Sequence, residues 1–203
     1  MHWESVEGVR VPQRAGGHPA LDLCNTLAGW ADPPADRSEW LPGYDELAVW
    51  SELAGLLGGV PAATLRRAAT RDPEGAAAVV AEVRSLRHHL RAAILDPHHS
   101  RGLRPVGDVA QRAAARATLT AGDPPLWRLP VDLDLPLLAA GRVGAEFLTQ
   151  GRLGDVRACP GPGCGWLFLD ARGRRRWCSM AWCGNRAKVR AHAERARLEG
   201  GRG

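Results

Sequence analysis

The stretch "CPGPGCGWLFLDARGRRRWCSMAWCGNR" at residues 159–186 holds four of the five cysteines of this 203-residue chain. Their spacing is Cys159-x4-Cys164-x13-Cys178-x4-Cys183. Two short cysteine pairs separated by about a dozen residues are a common way of building one tetrahedral metal site. The spacing therefore predicts that all four side chains are ligands of one metal ion.

Zinc is the ion that this ligand set favours. Four thiolates suit zinc or iron, but the spacing differs from the tighter spacings of iron–sulfur clusters. Four protein ligands leave no open coordination position, so the site is expected to be structural rather than catalytic. Disulfides, or buried cysteines without a metal, stay open as alternatives, because the cysteines of such pairs are usually separated by two residues rather than four.

The residues around the cysteines predict a β-hairpin followed by a helix. In "WLFLDARGRRRW" (166–177), Trp166 and Phe168 fit a strand and "DARG" fits a turn. The sequence "GNRAKVRAHAERARL" (184–198) predicts a helix that starts beside Cys183, where free N–H groups favour a thiolate. The apolar side of this helix is narrow, so we expect the metal and nearby tryptophans to hold the segment. That apolar side consists of Val189, Ala193 and Ala196, and the tryptophans are Trp166, Trp177 and Trp182.

The rest of the chain is predicted to be mainly α-helical. Apolar periodicity indicates helices within 18–30, 44–59, 61–70, 72–96, 105–119 and 134–152. The longest of them, 72–96, has a core-facing row of Val79, Val83, Leu86, Leu90 and Ile94. Residues 1–16 are expected to be irregular, 31–44 to be a loop, and 125–136 to hold a short strand. The predicted organisation is a helical domain over 1–154 and a zinc module over 155–203.

Positive charge is concentrated at the C-terminal end. Residues 157–203 hold 11 Arg/Lys and 3 Asp/Glu, whereas the whole chain has a formal net charge of +5. Guanidinium groups pair bidentately with phosphate and can read guanine edges, so a DNA or RNA contact surface is predicted here. The predicted contact residues are Arg172, Arg174, Arg175, Arg176, Arg186, Lys188 and Arg190. A solvated basic face in an arginine-rich chain is the alternative interpretation.

Asp22 and Asn25 are the polar pair on an otherwise apolar short helix. They are the candidates for binding a small-molecule effector. The alternative is an internal hydrogen-bond network that ties this helix to "ADPPADR" at 31–37. The histidine pairs at 88–89 and 98–99 are expected on the surface, because adjacent helical residues point about 100° apart.

Several function classes find no support in the sequence. Nucleophile motifs, phosphate-binding loops and an HExxH stretch are absent, so no enzyme is predicted. The chain also lacks a run of about 18 apolar residues and a secretory leader, so it is expected to be cytoplasmic and not membrane-bound.

Five short segments resemble a known pair of protein domains. "CGWLFLD", "RRWCSM" and "CGNRAKVRAHAER" resemble the CGNR-type zinc finger of bacterial proteins. "GGHPALDLCNTL" and "YDELAVWSELAGLL" resemble the ABATE domain that accompanies it. The resemblance implies that the four clustered cysteines are the zinc ligands, one for one, and that Cys24 is not a ligand.

Proteins of that family are described as stress-induced transcription regulators, and the resemblance implies the same role here. The leading hypothesis is a helical domain that binds an effector or forms a homodimer, joined to a zinc module that contacts DNA. A second hypothesis makes the zinc module a protein-interaction or stabilising element without nucleic-acid binding. A third places an enzyme activity in the helical domain.

Overall fold

The computed structural model describes residues 3–30, 39–98 and 101–200. This part of the chain is mainly α-helical with small antiparallel hairpins, as predicted. Its helices are α1 (Pro19–Cys24), α2 (Tyr44–Leu53), α3 (Ala62–Arg71), α4 (Pro73–Leu95), α5 (Leu103–Arg116), α6 (Leu135–Thr149) and α7 (Asn185–Gly200). Its strands pair as β1 (Trp3–Val6) with β2 (Val9–Pro12), β3 (Thr118–Thr120) with β4 (Leu126–Arg128), and β5 (Val156–Ala158) with β6 (Leu167–Leu169).

Helix α4 lies at the centre of the core, and α1, α2, α3, α5 and α6 all pack against it. The predicted core-facing row is buried along its whole length, from Val79 to Ile94. Asp72 begins the helix by accepting a 2.9 Å hydrogen bond from Gly75 N–H, and Pro73 occupies the first turn, where its missing donor costs nothing. The prediction for this helix is confirmed to within a residue at each end.

The short helix α1 is the element that later carries the site. His18 caps it by accepting a hydrogen bond from Ala20 N–H, and its ring stacks on Phe147 of α6 at 4.6 Å between centroids. Ala20 through Cys24 are buried. Since α1 is only six residues long, tertiary packing rather than helix propensity stabilises it.

The first sixteen residues correct the expectation of an irregular lead-in, because they contain the β1–β2 hairpin. Glu7 (φ +50°) and Gly8 (φ +80°) form its two-residue turn, the geometry that matches strand twist in tight hairpins. Val11 is fully buried against the helical core. Four-residue strands leave too short a pattern to be recognised from the sequence.

The strand predicted within 125–136 is found as β4. Its partner β3 comprises Thr118–Thr120, at the end of the segment that was expected to remain helical to residue 119. Helix α2 also ends earlier than predicted, at Leu53 rather than at Gly58.

The hairpin of the zinc module is present, but its strands are not the predicted ones. Strand β6 pairs with β5, which precedes Cys159, so the reversal passes through "CPGPGC". After β6, Asp170 accepts hydrogen bonds from the N–H groups of Arg174 (2.8 Å) and Arg175 (3.1 Å). This closes the predicted "DARG" turn, but no strand returns from it.

In the described ranges, none of the helices is both long enough and apolar enough to cross a membrane. The loop at 31–37, and with it the predicted network to Asp22 and Asn25, lies outside the described residues, as does His99.

Candidate metal centre

The sulfur atoms of Cys159, Cys164, Cys178 and Cys183 all lie within 4.8 Å of one another, and all four residues are buried. Cys178 Sγ is 3.7 Å from Cys164 Sγ and 3.6 Å from Cys183 Sγ. A tetrahedral zinc site with bonds of about 2.3 Å has sulfur–sulfur edges of about 3.8 Å. The four sulfurs therefore fit one zinc ion, and each cysteine is a free thiol rather than half of a disulfide.

The first ligand pair is positioned by the reversal between β5 and β6. Cys159 N–H donates to the Trp166 carbonyl at 2.7 Å, and Cys164 N–H donates to the Gly161 carbonyl at 2.9 Å. A Cβ atom at Gly161 would lie 3.0 Å from Cys183 Sγ and 3.5 Å from Cys159 Sγ. The turn can therefore approach the sulfurs only because residue 161 has no side chain.

In the second pair, Cys183 lies in a wide helical turn, Met180–Gly184, that continues directly into α7, and Cys178 precedes this turn. Cys183 thus sits at the N-terminus of α7, as the sequence predicted, where the free N–H groups favour negative charge. Arg186 adds a hydrogen bond from Nη2 to Cys183 Sγ at 3.4 Å. Thiolate charge at this position is supported from both the backbone and a side chain.

The thiols perturb one another because they are so close. A hydrogen bond from Cys164 is the largest cause that lowers the pKa of Cys159, to about 6, and the same contact raises the pKa of Cys164. Four thiols cannot all ionise at this distance unless a cation replaces their protons. A divalent metal ion would supply that cation.

Arg91 is a site residue that the sequence analysis missed. It is 9% exposed, and its guanidinium lies over the Trp30 ring at 4.3 Å. Burial lowers its pKa, while the Cys24 and Cys164 thiols act in the opposite direction. A zinc ion bound by four thiolates carries a net charge of about −2. The nearby guanidinium groups of Arg91 and Arg186 partly balance that charge. No local motif marks Arg91, which is contributed by α4.

Asn25 joins the zinc module to the helical domain. Its Nδ2 donates to the Leu167 carbonyl at 2.8 Å, and its Oδ1 accepts from Leu167 N–H at 2.7 Å. Asn25 and Leu167 are both fully buried. The amide side chain thus satisfies both backbone groups of a residue in β6, 142 positions away along the chain.

Asp22 is also occupied internally. Its Oδ1 accepts a 2.8 Å hydrogen bond from Gly16 N–H, and burial raises its pKa to about 6 although that bond and Arg14 oppose the shift. Asp22 and Asn25 therefore have Gly16 and Leu167 as hydrogen-bond partners inside the protein. The effector site at these two residues stays a prediction.

Further hydrogen bonds cross the same boundary. Trp166 Nε1 donates to the Leu27 carbonyl at 3.0 Å, and Leu169 N–H donates to the Gly16 carbonyl at 2.9 Å. Gly165 has φ +67°, and a Cβ there would lie 2.8 Å from Trp30 Cβ. The zinc module is therefore seated directly on α1 and the segment after it.

Arg175, one of the predicted phosphate contacts, also binds groups within the protein. Its guanidinium donates to the carbonyls of Ala15 (3.0 Å), Leu169 (3.1 Å) and Cys178 (2.7 Å). It also lies over the Phe168 ring at 4.6 Å. These contacts use three of the five N–H donors of Arg175 within the protein, and the bond to Ala15 joins the module to the segment before α1.

The other predicted basic residues lie on the surface. Arg172, Arg174, Lys188 and Arg190 are exposed and have no side-chain hydrogen bond or ion pair to any residue that the structure describes. Arg176 lies over the Trp177 ring at 5.3 Å. Helix α7 is exposed on nearly every side, including Val189 and Leu198, each at 68%. The narrow apolar side of this helix, formed by Val189, Ala193 and Ala196, faces solvent.

The site and its fold define a zinc-finger protein, and residues 156–196 match the family model of the CGNR zinc finger. Residues 17–151 match the ABATE family, described as "Putative stress-induced transcription regulator". Because that match spans well over half of the chain, the protein belongs to the ABATE family. Both are regulator or zinc-finger families rather than enzyme families. No curated protein matches the chain.

Replacing one ligand should remove the metal. We expect the zinc-loaded wild type to retain about one zinc ion per chain, and Cys178→Ser to lose it, since three thiolates and a hydroxyl bind zinc far more weakly. Metal analysis after gel filtration under reducing conditions measures this. Cys24→Ala is the matched control, because Cys24 is equally buried but is not part of the cluster. Retention of zinc by Cys178→Ser, or loss by Cys24→Ala, would contradict the ligand assignment.

Removing the Asn25 amide should weaken the contact between the helical domain and the zinc module. Asn25→Ala leaves the buried N–H and carbonyl of Leu167 unsatisfied, so the free energy of unfolding should fall by about 2–5 kcal/mol. Urea denaturation of the zinc-loaded protein measures it. Asn185→Ala is the control, since Asn185 is exposed and makes one 3.1 Å bond to the Ala181 carbonyl. Equal losses in the two variants would show that Asn25 is not a structural link.

Proposed function

We propose that this protein is a bacterial transcription regulator whose zinc module binds DNA through the 172–176 turn and α7. One contrast carries the proposal. Several arginines of the helical domain are paired with acids, as in Arg87–Glu39 (2.6 Å), Arg112–Glu82 (2.6 Å) and Arg66–Asp45 (2.9 Å). In the zinc module, Arg172, Arg174, Lys188 and Arg190 have no acidic partner among the residues that the structure describes and remain available for phosphates.

Helix α7 has the dimensions and surface that this role requires. Its sixteen residues give it a length of about 24 Å. The major groove of DNA is wide enough to admit an α-helix. Most of the α7 surface is polar and exposed, so it is accessible to a partner. Lys188 and Arg190 lie in the first half of α7, the half nearest to the turn that the metal would hold.

The basic residues divide into two roles under this proposal. Arg172, Arg174, Arg176, Lys188 and Arg190 contact phosphates, or base edges where they reach them. Arg175 and Arg186 hold the surface in shape, since they bind carbonyl groups and a sulfur within the protein. RNA presents the same phosphates and is distinguished by the experiment below.

The helical domain supplies the regulatory half of the proposal. Because the zinc module is seated on α1, a small-molecule effector or a homodimer contact that moved α1 would move the DNA-binding surface with it. A response to stress, a cytoplasmic location and the absence of an enzyme activity are predictions that belong to this proposal. The alternative role, a protein-interaction module, is favoured by the exposed Val189 and Leu198 on α7.

Salt dependence tests the DNA contact. For about five neutralised phosphates, the logarithm of the affinity should fall with the logarithm of salt concentration at a slope near −4 to −5. The variant Arg172→Ala/Arg174→Ala/Lys188→Ala/Arg190→Ala should bind more weakly, with a slope near −1 and an unchanged zinc content. Fluorescence anisotropy with labelled duplex DNA measures both quantities.

A charge-matched variant provides the control. Arg67, Arg71, Arg101 and Arg104 are exposed on the helical domain, and their replacement by Ala should leave the slope unchanged. The same loss in both variants would indicate only a net-charge effect. An absence of DNA binding would overturn the proposal and favour the protein-interaction role, and tighter binding to RNA would move the role to RNA.

A further inference from the structure

A groove of about 290 Å³ lies on the helical domain, away from the zinc module. One wall is the segment 55–60 that follows α2, and the other is 126–131, which includes β4. The floor comes from α6. The groove thus lies between three parts of one domain, the kind of concave location where small molecules bind.

The wall formed by 126–131 exposes several large apolar side chains. Trp127 is 61% exposed, Val131 56% and Leu126 48%, whereas Leu57 and Leu135 beside them are almost fully buried. Exposed apolar side chains that line a groove can supply the apolar part of a ligand-binding site. The patch requires an occupant with an apolar body.

The polar groups of the groove all favour an anion. Arg142 and Arg128 line it, and among the described residues no acidic side chain does. Arg142 forms a 3.9 Å ion pair from Nε to Glu146 Oε1, which is too long for a hydrogen bond, so this buried Nε has no hydrogen-bond partner within the part of the chain that the structure describes. Arg128 makes only a 3.3 Å bond, from Nη1 to the Gly58 carbonyl. Both guanidinium groups therefore keep donors for a carboxylate.

We propose that this groove binds an amphipathic organic carboxylate of moderate size, such as a medium-chain fatty acid. The apolar body lies along Leu126, Trp127 and Val131, and the carboxylate is bound by Arg128 and Arg142. This site is separate from Asp22 and Asn25, neither of which lines the groove. The binding itself does not depend on DNA contact.

The groove is also connected, through α6, to the contact between the helical domain and the zinc module. Val143 lines it, and Phe147 follows one turn further along α6. Phe147 stacks on His18, the residue that caps α1. An effector in the groove therefore acts on the helix that supports α1; this consequence rests on the proposed function, whereas carboxylate binding stands without it.

Calorimetric titration of the full-length, zinc-loaded protein with decanoate tests the proposal. Arg128→Gln/Arg142→Gln should weaken decanoate binding by at least about 10-fold, the effect of losing a charge-assisted hydrogen bond. Decanol, which has the same chain without a carboxylate, should bind more weakly and be insensitive to this double substitution. Trp127→Ala should weaken both ligands.

Control variants keep the result interpretable. Arg128→Gln and Trp127→Ala alter exposed side chains of a surface hairpin, so they test the site even if Arg142→Gln perturbs folding. Arg101→Gln lies outside the groove and should have no effect. Absent decanoate binding, or equal binding of decanoate and decanol that ignores both arginines, would overturn the proposal. A concentration-dependent dimer that Trp127→Ala abolishes would also overturn it, assigning the face to a second copy of the chain.

Discussion

The convergence of four thiols on one point is the constraint on which the C-terminal quarter of the molecule depends. The sulfurs lie within 4.8 Å of one another, a distance that only a shared cation makes favourable for thiolates. Helix α7 buries almost nothing of its own, so packing cannot fix its direction. The metal fixes it, because Cys183 is both a ligand and the start of that helix. Structural zinc in small modules contributes on the order of 10 kcal/mol, far more than the exposed side chains of α7 can supply.

The second constraint is that the zinc module is not a freely hinged appendage. Asn25 satisfies both backbone groups of Leu167, and Arg175 binds the Ala15 carbonyl. Arg91, a residue of α4 in the helical domain, lies over the Trp30 ring beside the cysteine cluster. The helical domain thus contributes charge and hydrogen bonds to the surroundings of the metal. A change in the position of α1 would therefore also change the position of the zinc module, as the proposed regulatory role requires.

Features encoded by local spacing could be predicted from the sequence. The cysteine pattern identified the metal cluster, and the four-residue periodicity of 72–96 identified α4 and its buried face. Features that depend on distant partners could not. Strand β6 was expected to pair with residues after it, yet it pairs with β5, since the cysteine turn already reverses the chain. The partner of Asn25 lies 142 residues away, and the sequence offers no periodicity that connects them. Arg175 stands in a run of arginines, and only the structure shows that it binds three carbonyl groups, whereas the side chains of Arg172 and Arg174 have no hydrogen bond to any residue that the structure describes.

X-ray absorption at the zinc edge tests the central claim most directly, because it measures the ligand shell without relying on a variant that must fold. The account predicts a shell of about four sulfur atoms at about 2.3 Å, with no light-atom ligand, in the zinc-loaded protein under reducing conditions. A shell containing nitrogen or oxygen at about 2.0 Å would show that at least one of the four cysteines does not hold the metal. The defined shape of the basic turn and of α7 would then have no physical basis.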